Sequence, residues 1–242
     1  MRAHGGTRPD AGVAVMPAPK IALFDLDDTL TDHAAAFALW AAEFSQATGI
    51  PHPWITEADA RHAGARYAFF ADIKETFGIQ KSIAAQHVAY QERTAELVPH
   101  RPEVCAALEA LTADGWSLGV VTNGSPAAQR TKLEVSRLDR FFTTVVISGD
   151  YGVRKPHEAL FRLALDDLQA DKDTWTAMIG DCLAADIAGG LRAGLHTIWV
   201  SHGRSRRRGD PVPHHTVHTT VDACEWLSVA VDVPPPLPAL TH

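Results

Sequence analysis

Apolar and polar positions change period along this chain. Ile21-Ala22-Leu23-Phe24 is a continuous apolar run bounded by Lys20 and Asp25, the mark of a strand covered on both faces. Between His33 and Ala47, Phe37, Trp40, Ala41 and Phe44 fall at i, i+3, i+4 and i+7, one face of a helix. Further helical stretches are predicted over about 57–77, with Phe69, Phe70, Ile73 and Phe77, and over about 81–97. No strand-like run interrupts these roughly 65 residues. A crossover between parallel strands needs only one helix, so the surplus predicts an inserted all-helical subdomain over 33–98.

From Arg101 onward the period alternates. Helices are predicted over 102–113, 126–135, up to about 168, and 183–193, and short apolar strands over 118–121, 145–147, 177–179 and 197–200. This rhythm predicts an α/β architecture, a Rossmann-like parallel sheet of five strands with helices on both faces. Its two parts cover 20–32 and 99–230. Residues 1–19 mix Gly, Pro, Arg and Ala without period and are expected to form a disordered leader, with Met16 placed where translation could begin. Residues 231–242 read as a frayed tail, and 201–230 as less regular.

The polar residues gather where strands end. The first strand stops in Asp25-Leu26-Asp27-Asp28-Thr29, and open α/β sheets place their ligands beyond such carboxyl ends. Carboxylates this close repel unless a cation or a shared proton compensates. Thr122-Asn123-Gly124 ends the second strand, where the Thr122 hydroxyl and the Asn123 and Gly124 amides can cradle a phosphate oxygen. Lys155, before Pro156, can offset crowded carboxylates. Gly180-Asp181 ends another strand, and Asp186 falls on the first turn of the next helix, so Asp181 can ligate a metal and Asp186 can orient Lys155 or a metal-bound water.

Composition narrows the reading. The formal charge of −7, with 46% hydrophobic residues, fits a folded chain and disfavours a nucleic-acid binder. No apolar run approaches a membrane span of about 20 residues, and no signal segment opens the chain, so a cytoplasmic protein without a membrane partner is expected. Three scattered cysteines do not form a disulfide framework. Arg204, Arg206, Arg207 and Arg208 read as a solvated basic loop, and His214, His215 and His218 lack the neighbours of a metal site. The cap candidates Arg61, His62, Arg66, Lys74, Lys81 and Arg93 read as a solvated helix face.

The four strand-end features, Asp25-x-Asp27-x-Thr29, Thr122, Lys155 and Gly180-Asp181-x4-Asp186, resemble in kind and order the motifs of the haloacid dehalogenase-like superfamily. The resemblance implies a helical C1 cap and the phosphatase branch, because Asp27 supplies an acid that the dehalogenases lack at that place. It implies that Asp25 is the nucleophile, forming an aspartyl-phosphate, and that Asp27 is the acid and base. Thr122 and Lys155 would hold phosphate oxygens, and Mg²⁺ would be bound by Asp25, the Asp27 carbonyl and Asp181, with Asp186 behind them. The expected substrate is a small phosphorylated metabolite, and the chain a monomer or homodimer. A phosphomutase and a catalytically silent phospho-ligand-binding module share these motifs and stand as alternatives.

Overall fold

The computed structural model describes residues 19–62 and 65–230. The expected leader, except Pro19, and the expected tail lie outside them.

β1 (Lys20–Phe24) is the centre of the sheet. It pairs in parallel with β2 (Trp116–Thr122) on one side and β4 (Trp175–Gly180) on the other, with Phe24 in register with Val120 and Ile179. β3 (Thr144–Ile147) lies outside β2; β5 (His196–Val200) and then β6 (His215–Val217) lie outside β4. Among the described residues the order is β3-β2-β1-β4-β5-β6, all parallel. Successive connections therefore diverge on either side of β1, opening a crevice over the ends of β1, β2 and β4. The sixth strand corrects the expected five: three residues at a sheet edge, only Val217 buried, carry too little apolar signal to be read.

Side chains of β1 alternate between two cores. Ala22 and Phe24 pack with Val120, Ile179 and Ile198 against α5 (Pro102–Ala113) and α10 (Thr220–Ala230). Ile21 and Leu23 pack with Val121 and Met178 against α8 (Glu158–Asp167), through Leu160, Phe161 and Ala164. Burial of each large apolar side chain contributes about 1.5–3 kcal/mol, so the strand ends are held on a rigid base. The helix α10 lies in the stretch expected to be irregular.

Among the described residues four helices follow β1 in the chain before the next element of the core: α1 (His33–Thr48), α2 (His52–His62), α3 (Arg66–Phe77) and α4 (Ile83–Glu96). They form the inserted cap, with their own core of Phe37, Trp40, Ile55, Phe69, Phe70 and Tyr90. Asp32 caps α1 by accepting from the Ala35 N–H at 2.8 Å, and Gly49, at φ 74°, ends it in the left-handed region that glycine enters without strain. The single stretch expected over 57–77 is two helices; the sequence between them contains Gly64, a weak helix former. Most of the cap cations considered for substrate contact hold the cap together. Arg61 and His62 both reach Asp72 at 3.0 Å, Arg66 pairs with Asp59 beneath the rings of Phe37 and Tyr90, and Arg93 pairs with Glu43 and Glu96. Lys74 donates to the carbonyls of Ile79 and Gln80. Arg66 in particular is largely buried rather than solvated.

Candidate active site

The chain leaves β1 at Asp25, whose N–H donates to the Ile179 carbonyl of β4 at 2.9 Å. The Leu26 carbonyl then accepts from the backbone N–H groups of Leu30 and Thr31, both at 2.9 Å, and Asp28 takes φ 56°. This tight turn holds Asp25 and Asp27 at the mouth of the crevice.

Lys155 sits beneath Asp25. Its Nζ lies 2.6 Å from Asp25 Oδ1, 2.7 Å from Asp186 Oδ1 and 2.7 Å from the Val121 carbonyl, which it donates to from a position 5% exposed. Asn123 fixes its backbone: the Lys155 N–H donates to Asn123 Oδ1 at 2.9 Å, and Asn123 Nδ2 donates back to the Lys155 carbonyl at 3.3 Å. Burial alone would lower the Lys155 pKa, but Asp186 and Asp25 outweigh it and raise it. Asp186 in turn accepts from the Cys182 N–H at 2.9 Å. Gly180 makes room for it, since a Cβ there would overlap the Asp186 carboxyl.

Carboxylate oxygens of Asp25, Asp181 and Asp186 lie within 4.8 Å of one another. Burial, the largest cause, pushes Asp25 up to about 7 against the pull of Lys155, and Asp181 up to about 6 with Asp25 adding to the rise. Lys155, with the half-exposed Arg204 3.0 Å from Asp181, does not balance three carboxylates. An all-oxygen set with unmet negative charge fits a hard divalent cation. Both carboxyls are raised from 3.8, so without metal they contribute stability that is present below about pH 4 and is lost as pH rises through about 6 and then 7. A divalent cation held by this cluster would favour its ionised form, so stabilisation by added cation in thermal melts is expected to grow from about pH 5 to pH 8. A metal-induced shift that stays constant across that range would contradict this account of the cluster.

Asp27 stands apart from these three. Lys132, on α6 (Pro126–Val135), places its Nζ 2.7 and 2.8 Å from the two Asp27 carboxylate oxygens, and Gln129, one turn earlier, donates to Asp27 Oδ2 at 3.2 Å. Thr31 Oγ1 lies 3.5 Å from Asp27 Oδ1 and His33 Nδ1 3.9 Å from it, while His33 Nε2 meets the Tyr90 hydroxyl of α4 at 3.1 Å. Burial raises the Asp27 pKa, but Lys132 and His33 outweigh it and hold the carboxyl below its ordinary value.

The buried Thr122 hydroxyl accepts from Gln129 Nε2 at 2.7 Å. The Gly124 N–H, expected to be available to a phosphate, donates instead to Ser148 Oγ at 3.1 Å, and the Asn123 side chain is engaged with Lys155. Lys132 and Gln129 escaped the sequence reading, although their i, i+3 spacing directly after Thr122 puts them on one helix face. The basic loop is exposed over 202–209, as expected, and from it the Arg204 guanidinium reaches back to the Asp181 carboxylate at 3.0 Å and the Asp181 carbonyl at 2.8 Å. Between that loop and the start of the cap, Asp28, Asp32, Arg101, Asp181, His202 and Arg204 line a cleft of about 390 Å³. His214, set aside as a metal ligand, accepts from the Thr197 N–H at 3.1 Å and stacks on His196.

A parallel sheet whose central strand delivers an acid to a buried lysine and two further carboxylates, beneath a helical cap, defines a hydrolase of the phosphate-ester type. The chain matches the haloacid dehalogenase-like hydrolases over residues 19–194 and belongs to that family. It is 29% identical over 198 residues to the glyceraldehyde 3-phosphate phosphatase of Pyrococcus furiosus, covering 76% of this chain and 82% of that one. It is 33% identical over 172 residues to the phosphoserine phosphatase of Thermus thermophilus, covering 71% and 66%. Among solved structures, the HAD-hydrolase YfnB of Bacillus subtilis shares the fold with a TM-score of 0.72 at 24% identity, covering 87% and 99%. Among the described residues no helix is long and apolar enough to cross a membrane.

Proposed function

We propose that this protein is a Mg²⁺-dependent phosphatase that hydrolyses a small phosphorylated metabolite through an aspartyl-phosphate on Asp25. The observation that carries the reading is the buried Lys155 ammonium shared by Asp25 and Asp186, with Asp181 in the same cluster. The names of the similar phosphatases, one for glyceraldehyde 3-phosphate and one for phosphoserine, favour a small phosphate monoester.

Asp25 Oδ attacks phosphorus in line as the bond to the ester oxygen breaks. The departing oxygen takes a proton from Asp27. Asp27, now ionised, takes a proton from water, whose oxygen attacks the same phosphorus and releases Asp25. The grip of Lys132 favours this ionised form, which serves the second half-reaction; the first draws on the protonated form. Thr122 and Lys155 bind phosphate oxygens. The Asp25 and Asp181 carboxylates and the Asp27 carbonyl would hold Mg²⁺, whose charge offsets the repulsion between the anionic nucleophile and phosphate.

The test is turnover of nitrophenyl phosphate and of a panel of phosphorylated metabolites after removal of divalent cations. Activity is expected to vanish and to return with Mg²⁺ more fully than with Ca²⁺, whose larger and looser shell misplaces the nucleophile. Full activity after exhaustive chelation would refute the metal requirement.

A further inference from the structure

We infer that Lys132 and Gln129 are positioning residues for the acid of the reaction, holding the Asp27 carboxylate from helix α6 in one orientation. This inference rests on the role proposed above for Asp27. Asp27 follows β1 by a tight turn, and its side chain is only partly covered, so nothing in β1 itself fixes its rotation. The clamp comes from elsewhere in the chain. Lys132 contacts both carboxylate oxygens, and Gln129 adds a donor to Oδ2 while donating to the Thr122 hydroxyl with the same amide nitrogen. Acid and hydroxyl are thus registered to each other through one helix face.

The burial of Lys132 argues against a purely stabilising role. Its side chain is 6% exposed, yet α6 also carries Ala128 and Leu133 into the interior, where an apolar residue would avoid the desolvation of an ammonium. Buried charge pairs contribute little net stability and serve best to select one arrangement among several. The arrangement selected here spans two parts of the molecule. α6 packs against α4 of the cap, and His33, at the start of the cap, comes within 3.9 Å of the Asp27 carboxylate while its other ring nitrogen meets Tyr90 of α4. Asp27 is therefore held between the core helix and the cap.

The experiment compares Lys132→Met, Asp27→Asn and the double variant on two substrates. One is nitrophenyl phosphate, whose leaving group needs little protonation; the other is whichever alkyl phosphate of the panel the wild type hydrolyses fastest. In Lys132→Met, kcat on the alkyl phosphate should fall about 10- to 100-fold, while formation of the phosphoenzyme from nitrophenyl phosphate falls less than about threefold. KM on nitrophenyl phosphate should fall together with kcat to the extent that hydrolysis of the intermediate is slowed, and Lys132→Arg should recover part of the loss. In the Asp27→Asn background Lys132→Met should add less than about threefold, because it acts through the residue already removed. Equal losses in alkyl-phosphate kcat and in phosphoenzyme formation from nitrophenyl phosphate, no loss in a folded variant, or fully multiplicative losses in the double variant would overturn the inference. If Lys132→Met does not fold, Gln129→Leu is measured in the same way and decides by the same criteria. If Asp27→Asn itself shows no dependence on the leaving group, it is the role of Asp27, and not the clamp alone, that fails.

Discussion

Replacing Asp25 by Asn is expected to reduce turnover by roughly 10⁴-fold or more, the scale on which removal of a covalent nucleophile acts. The amide keeps the shape of the carboxylate, and the backbone N–H of residue 25 keeps its bond to the Ile179 carbonyl, so the sheet should survive. Its loss is chemical: no lone pair of adequate basicity remains to attack phosphorus. Because burial and Asp186 push the Asp25 carboxyl up to about 7 without metal, replacing it by a neutral group also removes a charge that the fold holds at a cost. The variant is therefore expected to melt no lower than the wild type in the absence of divalent cations. Activity within tenfold of the wild type, or a large loss of stability, would show that Asp25 has another task.

Lys155→Met is expected to fail in the opposite way, through stability as much as through chemistry. Among the described residues the ammonium is the one cation paired with both Asp25 and Asp186, at 2.6 and 2.7 Å, and it also satisfies the Val121 carbonyl. Removing it leaves uncompensated buried carboxylates, which typically destabilises by about 3–5 kcal/mol. Turnover should fall roughly 10²- to 10³-fold, since a fixed positive charge beside the transferred phosphoryl group is lost. Denaturant melts with and without Mg²⁺ check this: added cation should restore part of the stability by occupying the same cluster. A variant within about 0.5 kcal/mol of the wild type, as surface substitutions commonly are, would contradict the geometry assigned to Lys155.

What the sequence disclosed and what it hid follow from the same physics. Asp25 and Asp181 were legible because each follows the end of a central strand, and Lys155 and Asp186 because they come in fixed order after it, Lys155 in the loop before α8 and Asp186 in the helical turn after β4; the sheet brings such ends together whatever fills the helices between them. The cap was legible from its aromatic helix faces, Phe37, Trp40 and Phe44 above all. Lys132 and Gln129 were not, because on a ten-residue helix a polar pair at i, i+3 looks like a solvated face until the packing turns it inward. The reach of Arg204 is hidden for a related reason: four arginines in five positions mark a solvated loop, which it is, and only the fold shows that one of them also meets Asp181. The edge strand β6 and the split between α2 and α3 were lost to brevity.

The central claim is that phosphorus passes through Asp25. Rapid-quench mass spectrometry during turnover of nitrophenyl phosphate tests it most directly, with Asp27→Asn used to slow hydrolysis so that the intermediate accumulates. The predicted result is a phosphate adduct on the peptide carrying Asp25, formed within a single turnover and absent from Asp25→Asn. Phosphate on any other residue, or complete hydrolysis with no adduct at any time point, would contradict the account.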